Sequence, residues 1–309
     1  MSDNASQPST YSNRHAPGNG LSVCVCTYNR APILREMLAS VVAVQHTFNE
    51  SDELIVIDNN STDATKEVIQ ACKLPQLRYI HEAKQGLSNA RNRAIREAKN
   101  QHVIFFDDDV WLREGVLAAY RQAYAEHPEV EFFGGQIEIG WPDGQPDWWV
   151  AEDLALLNGL LVKYNLGSEP MLYRSGDHFP YGANFGLRKG LFDAIGGFNP
   201  ELGPLGEVIG RGDDTDFFTR AIEAGYQGMY LPEALVAHRF EAERIRFRYL
   251  IRYGIQKGLR LPRENSVARL LIRVTEQALR GLWQRLQGRR DRAFQCVINI
   301  GIALGQRRA

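Results

Sequence analysis

The chain is poor in cysteine, and the four it has, Cys24, Cys26, Cys72 and Cys296, form no C-x-x-C pair. That excludes a disulfide-built scaffold and a zinc-ribbon arrangement. Cys24 and Cys26 lie inside an apolar run, so they read as buried thiols of a reducing cytosol. Long hydrophobic runs are also missing. No segment reaches the ~18 consecutive apolar residues of a membrane span, and the N-terminal stretch has no apolar signal core. The 13 prolines and 28 glycines follow no period, which excludes a collagen-like chain. What is present is a globular composition, 44% hydrophobic and 24% charged over 309 residues. At about 150 residues per domain, that is one large domain or one with a substantial extension. A chain of this size buries about 75% of its unfolded surface.

A net charge of −1 conceals a division. Residues 239–309 hold 17 Lys/Arg against 5 Asp/Glu, a balance of +12, which leaves −13 on residues 1–238. The basic part is expected to meet something anionic. Within it, Val267, Leu270, Leu271, Val274, Ala278, Leu282 and Leu286 recur at helical spacing, with Arg269, Arg273, Arg280 and Arg285 largely between them. Such a basic amphipathic helix either rests on an anionic membrane surface or packs on the rest of the molecule or on a partner subunit. Phe294–Leu304 is apolar but too short to span, and can form an interfacial hairpin. No recognition motif accompanies the arginines, so nucleic acid is not an expected partner.

Residues 1–19 are Ser, Asn, Gln, Pro and Gly with few large apolar side chains, and read as a disordered leader. A rhythm then follows. Apolar runs at Leu21–Cys26, Glu53–Asp58, Leu77–His81 and His102–Asp107 predict strands. Between them, Pro32–Val44, Ala64–Cys72 and Ser88–Lys99 predict helices, the first with Pro in its opening turn and the second capped by Thr62 or Asp63. This alternation predicts an α/β fold, a mostly parallel, Rossmann-like sheet flanked by helices. Ligands of such sheets bind outside the carboxyl ends of the strands, where Thr27–Arg30, Asp58–Asp63 and Asp107–Asp109 all fall. Farther on, Val130–Ile139, Tyr181–Leu187, Gln227–Leu231 and Ala234–His238 read as strands, and Asp213–Ala224 as a helix.

Asp107, Asp108 and Asp109 end an apolar strand, where their mutual repulsion has to be offset; a hard divalent cation does so directly. Strand alternation sends Asp107 and Asp109 to one face and Asp108 to the other. The alternative is a solvated turn. Thr27 or Asn29 can bond a base or ribose, and Arg30 can approach a phosphate. Asp58 suits a ribose hydroxyl or base N–H. Arg91, on the helix opened by Gly86, either reaches a phosphate or base or pairs with Glu97 or another surface acid. Asp213 and Asp214 follow a glycine turn, either capping a helix or taking a proton from an incoming hydroxyl. Trp141, Trp148 and Trp149 share a Pro/Gly-rich stretch, and either stack on an acceptor's sugar rings or lipid or pack in the interior.

Taken in order, these motifs resemble a family 2 glycosyltransferase, an inverting nucleotide-sugar enzyme of the GT-A fold. The landmarks are Thr27–Arg30, Asp58–Asp63, Gly86–Asn92, the D-x-D element Asp107–Asp109, Gly182–Phe185 with Gly196–Phe198, Gly212–Asp216 and His238. The resemblance spans about residues 21–258. It implies a catalytic domain over 20–240, with a nucleotide half to about 110 and an acceptor half from 111, followed by the basic helical extension 241–309. It implies that Thr27, Asp58 and Arg91 bind the nucleotide, with Asn29, Arg30 and Asp108 beside them. Asp107 would contact the nucleotide sugar, Asp109 and His238 would ligate Mg2+ or Mn2+, and Asp214, with Asp213 adjacent, would be the general base. The implied reaction is non-processive transfer from a nucleoside diphosphate sugar, UDP being the family expectation, to a hydroxyl of a glycan or glycolipid in surface polysaccharide biosynthesis. Q-x-x-R-W, the processive element, is absent after Asp214. The implied location is cytoplasmic, with the tail able to rest on the inner face of the plasma membrane. The rival class is a non-catalytic nucleotide-sugar or glycan-binding protein on the same scaffold.

Overall fold

The computed structural model describes residues 20–147, 149, 154–203, 212–259 and 261–308. The leader 1–19 and Trp148 lie outside the described residues. The chain opens with β1 (Leu21–Thr27), α1 (Ala31–Ala43), β2 (Glu53–Asp58), α2 (Thr65–Ala71), β3 (Leu77–His81), α3 (Leu87–Glu97) and β4 (His102–Asp107). It continues with β5 (Val110–Leu112), α4 (Val116–Glu126), β6 (Val130–Gly140), α5 (Ala155–Leu160), β7 (Met171–Leu172), β8 (Asn184–Arg188), α6 (Lys189–Ile195), α7 (Asp213–Glu223) and β9 (Gln227–Arg239). Three helices follow: α8 (Phe247–Gly258), α9 (Val267–Leu286) and α10 (Arg290–Arg308).

All the strands belong to one sheet, ordered β3-β2-β1-β4-β8-β6-β9-β5, with β7 paired to β9. β3, β2, β1 and β4 are mutually parallel; β8 runs antiparallel to β4 and β6, and β9 returns parallel to β6. Val23, Cys24 and Val25 are fully buried on consecutive positions. A strand covered on both faces reads as a continuous apolar run rather than an alternating one. The cysteines are free thiols, and burial pushes Cys24 well above its ordinary value and Cys26 up to about 12.

Pro32 sits in the first turn of α1, where its missing N–H costs nothing. The Asp63 carboxylate accepts from the Ala31 N–H at 3.0 Å. Asp63, expected to cap the following helix, accepts from the Thr65 N–H at 3.1 Å where α2 opens and also satisfies an opening amide of α1, which fixes the β2–α2 turn against the β1–α1 turn. β9 is one strand where the sequence suggests a pair. Its register with β6 shifts between Gly135 and Ile137, opposite the step from Leu231 to Val236. Pro232, which has no N–H to give, falls in that irregularity.

Two cores hold the molecule. The larger lies on the sheet; the smaller joins Trp149, Leu157, Leu160 and Leu161 to Leu250, Tyr253 and Ile298 of the C-terminal helices. α8 and α10 pack in parallel, with glycines at the contact. A Cβ on Gly254 would lie 2.2 Å from the Ile298 carbonyl, and one on Gly301 2.4 Å from that of Ile251; Gly258 and Gly305 repeat the arrangement one turn on. This small-xxx-small spacing lets two backbones approach closely. Phe294–Leu304 is thus a helix held against α8, not an interfacial hairpin. Among the described residues no helix is long and apolar enough to cross a membrane.

Candidate active site

The carboxyl ends of β1, β2 and β4, the start of α7 and one face of α8 surround a cavity of about 570 Å³. Thr27, Arg30, Arg91, Asp107, Asp108, Asp109, Asp213, Asp214 and His238 all line it. They come from segments far apart in sequence: Thr27, Asp107 and His238 from β1, β4 and β9, Arg91 from α3, and Asp213 and Asp214 from the start of α7.

The three aspartates do not divide by strand alternation. β4 ends at Asp107 and the chain turns, so Asp108 and Asp109 both reach Arg30, each at 2.9 Å. Arg30 also holds Glu241 at 2.7 Å. Thr27 donates to Asp108 Oδ2 at 2.6 Å. Burial, against the pull of Arg30, pushes Asp108 up to about 7. Burial alone would raise Asp109 as well, but His238, Arg30 and Arg244 outweigh it and hold Asp109 well below the usual carboxylate range. Arg244 contributes through a 3.2 Å ion pair.

Asp109 Oδ1 is buried and finds no hydrogen-bond partner among the described residues, although His238 Nε2 lies 3.2 Å away. A buried carboxylate oxygen left without a donor, facing a ring nitrogen, fits a cation-binding pair. No larger His/Cys/Asp/Glu cluster suited to a metal occurs among the described residues.

Asp213 and Asp214 have separate surroundings. The Arg91 guanidinium donates to Asp213 at 2.6 Å and lies 3.6 Å from Asp107. It sits over the Phe185 and Phe198 rings, 5.6 and 5.4 Å from their centroids. Gly182 passes directly over it; a Cβ there would be 1.9 Å from Nη2. The Gly182 N–H donates to Asp214 Oδ2 at 3.0 Å. Burial first, then the neighbouring Asp213 charge, raises Asp214 above the ordinary carboxylate value.

Other expected residues stand differently. Asp58 is buried behind the cavity, accepting from the Ser61 N–H and the Tyr79 hydroxyl. Asn59 lines the wall in its place, its side chain tied to the Glu82 and Lys84 carbonyls and to the Gly86 N–H. Asn29 is exposed, in the left-handed region at φ 51°, and accepts from the Thr62 N–H at 2.7 Å. Trp141 and Trp149, read as acceptor contacts or packing, pack. Their rings lie 5.5 Å apart, with Phe240 4.6 Å from Trp141, inside the smaller core and away from the cavity lining. Trp148 lies outside the described residues.

Arg244, Tyr249, Tyr253 and Lys257, which also line the cavity, were not anticipated. The signal was available: Tyr249, Tyr253 and Lys257 recur every four residues, on one helix face. The basic tail obscured it, because a charge excess suggests solvent or membrane rather than a cleft wall.

A mixed sheet with a carboxylate-rich cleft at the ends of its parallel strands agrees with the GT-A fold that the sequence motifs resemble. The sequence model described as glycosyl transferase family 2 matches residues 22–196, more than half of the chain, and the chain belongs to that family. It is 22% identical over 242 residues to the glucosyl-dolichyl phosphate glucuronosyltransferase of Haloferax volcanii, covering 77% of this chain and 75% of that protein. It is 34% identical over 106 residues, 33% of each chain, to the GalNAc(5)-diNAcBac-PP-undecaprenol beta-1,3-glucosyltransferase of Campylobacter jejuni. Among solved structures it resembles the mannosyltransferase PcManGT from Pyrobaculum calidifontis in complex with GDP-Man and Mn2+. That match has a TM-score of 0.52 and 17% identity, and covers 92% of this chain and 89% of that one. It also resembles GalNAc-T7 with UDP, GalNAc and Mn2+, with a TM-score of 0.54 and 19% identity over 73% of this chain and 44% of that one. At these identities the structural likeness speaks for the fold.

Proposed function

We propose that this glycosyltransferase moves a sugar from a nucleoside diphosphate sugar, UDP-linked by family expectation, to a hydroxyl of a lipid-linked glycan acceptor in surface polysaccharide biosynthesis. The transfer is metal-dependent, non-processive and inverting, with Asp214 as base. The observation that carries the reading is the shared cavity. Asp109 and His238, 3.2 Å apart, line it together with Asp214, which stands outside the Arg91–Asp213 ion pair. The two relatives named for dolichyl phosphate and undecaprenol substrates support a lipid-linked acceptor, and the Mn2+ in the two solved structures supports a divalent ion.

Asp109 and His238 would hold Mg2+ or Mn2+, which when bound supplies positive charge to a departing diphosphate. Arg30 and Thr27 fix the aspartate turn that presents Asp109. Arg91, committed to Asp213 and Asp107, shapes the floor beneath the donor. The Gly182 N–H orients the Asp214 carboxylate toward the cavity, where it takes the proton of the attacking hydroxyl. Attack from the face opposite the leaving group in one displacement inverts the anomeric centre, and no enzyme nucleophile is required. Arg244 and the α8 side chains close the remaining wall. On this reading the catalytic unit runs past residue 240 to include α8, and the extension proper is α9 with α10.

Calorimetric titration of UDP, GDP and dTDP, with and without Mn2+, on wild type and Asp109→Ala tests the donor site. Metal-dependent binding of one nucleotide, lost in the variant, is expected. Absence of binding under every condition overturns the reading. Binding of a nucleotide sugar without turnover on any lipid-linked glycan would favour the non-catalytic class.

A further inference from the structure

Helix α9 carries an apolar face that nothing in the described fold covers. At about 100° per residue, Leu271, Ile272, Leu279, Leu282, Trp283 and Leu286 fall within one arc of roughly 120°. Their exposure runs from 55% for Trp283 to 76% for Leu286. The side of α9 that does pack is a different one. Leu270, Val274, Gln277, Gly281 and Gln284 are half-buried. Gln277 accepts from Asn299 of α10 at 3.2 Å, and a Cβ on Gly281 would sit 3.2 Å from that of Cys296. Packing inside the molecule therefore uses a narrow seam and leaves the broad apolar face outward. Single exposed leucines are ordinary on protein surfaces, whereas a contiguous bulky patch marks an interaction site.

Charge identifies the occupant. Arg269 and Arg280 are exposed beyond one border of the arc, with Glu276 between, and Arg285 stands at the other; Arg273 lies nearer the packed seam and is held by Glu264 at 2.7 Å. Two borders of arginine around leucine, isoleucine and tryptophan are what an anionic bilayer surface accommodates. The apolar stems and rings enter the headgroup–acyl boundary while the guanidiniums remain at the phosphates. Since no described helix can span a membrane, this contact lies in the plane of the surface.

We propose that α9 is a peripheral membrane-docking helix whose exposed face binds an anionic lipid bilayer. The contact goes beyond the transfer reaction and does not rest on it. It has a mechanical consequence for the cleft. α9 packs on α10, α10 locks to α8 through the paired glycines, and α8 supplies Tyr249, Tyr253 and Lys257 to the cavity wall. A surface-bound α9 thereby holds the cavity in a fixed relation to the bilayer.

The test is flotation of the full chain with vesicles of phosphatidylcholine alone and of phosphatidylcholine mixed with phosphatidylglycerol. Binding to the mixed vesicles is expected, weakening as salt screens the arginines. The combined Leu279→Glu, Leu282→Glu and Trp283→Glu variant is expected to lose roughly tenfold or more of that binding. An Arg269→Gln, Arg280→Gln, Arg285→Gln variant is expected to lose the preference for phosphatidylglycerol. All six positions are exposed, and circular dichroism together with unchanged nucleotide titration identifies folded protein, so loss of docking is distinguishable from failure of the donor site. The proposal is overturned if wild type does not float, or if the glutamate variant floats equally well. It is equally overturned if sedimentation velocity shows a dimer that the glutamate variant dissolves, since a second copy of the chain then covers the face.

Discussion

The Arg91 guanidinium and the Asp213 carboxylate form a 2.6 Å ion pair whose side chains are 3% and 5% exposed. This pair separates the roles of two adjacent aspartates. Removing one partner of a buried pair leaves the other charge uncompensated. Asp213→Asn is therefore expected to lower stability by about 3 kcal/mol, read by denaturant unfolding. Asp214→Asn is expected to leave stability within about 1 kcal/mol while lowering kcat roughly 10²–10⁴-fold, with nucleotide binding retained. Equal loss of stability in both variants would contradict the division.

The pH dependence of kcat/KM follows from the same site. Burial and the Asp213 charge raise Asp214 above 3.8. A base works only when ionised, so activity is present above the raised value and lost as pH falls through it. An acid limb inflecting above 3.8 is expected, and Asp214→Glu, which keeps a titrating carboxyl, should retain an acid limb with an altered midpoint. A flat profile from pH 7 down to the onset of unfolding would remove Asp214 as base.

The glycine contact between α8 and α10 gives a stability prediction with an internal control. Gly301→Ala places a methyl 2.4 Å from the Ile251 carbonyl, and is expected to cost about 1–3 kcal/mol. Gly190→Ala in α6 meets nothing within 4 Å, and is expected to gain about 0.5 kcal/mol. Thermal unfolding of the two variants against wild type checks the opposite signs.

His102 supplies a second pH test, on stability alone. Its ring stacks on Tyr124 at 4.2 Å, and Nε2 lies 3.0 Å from Arg188 Nη1. Burial, then the Arg188 charge, lowers its pKa from 6.5 to about 4. Between those values the unfolded chain binds the proton and the folded one does not. The contribution is therefore complete above 6.5 and is lost as pH falls toward about 4. Tm should drop less steeply across that window in His102→Gln than in wild type.

Much of the parallel half was legible because its strands are covered on both faces. Leu21–Thr27, Glu53–Asp58 and His102–Asp107 appear as unbroken apolar runs, and such runs end where polar residues must reach solvent or ligand. The acidic turn was found for that reason; Arg91 and Asp214 stand near glycine turns at helix starts, and their roles were read from the family resemblance. The Trp141 and Trp149 stretch was ambiguous, since an aromatic residue suits a sugar-binding surface and a core equally well. α9 was half legible: periodicity showed an amphipathic helix, but Leu270 and Val274 turn toward α10 whereas Leu271 and Leu282 face outward.

Local patterning by itself determined the α/β alternation, the strand ends where polar side chains gather, and the basic amphipathic tail. These depend on residue spacing, which a chain carries before it folds. Tertiary structure alone decided that Arg91 takes Asp213 and leaves Asp214 to the cavity, that Arg30 ties Asp108 and Asp109 to Glu241, and that α8 becomes a wall of the cleft. Each of those joins residues distant in sequence, and their pairing depends on sheet order and helix packing, which spacing does not encode.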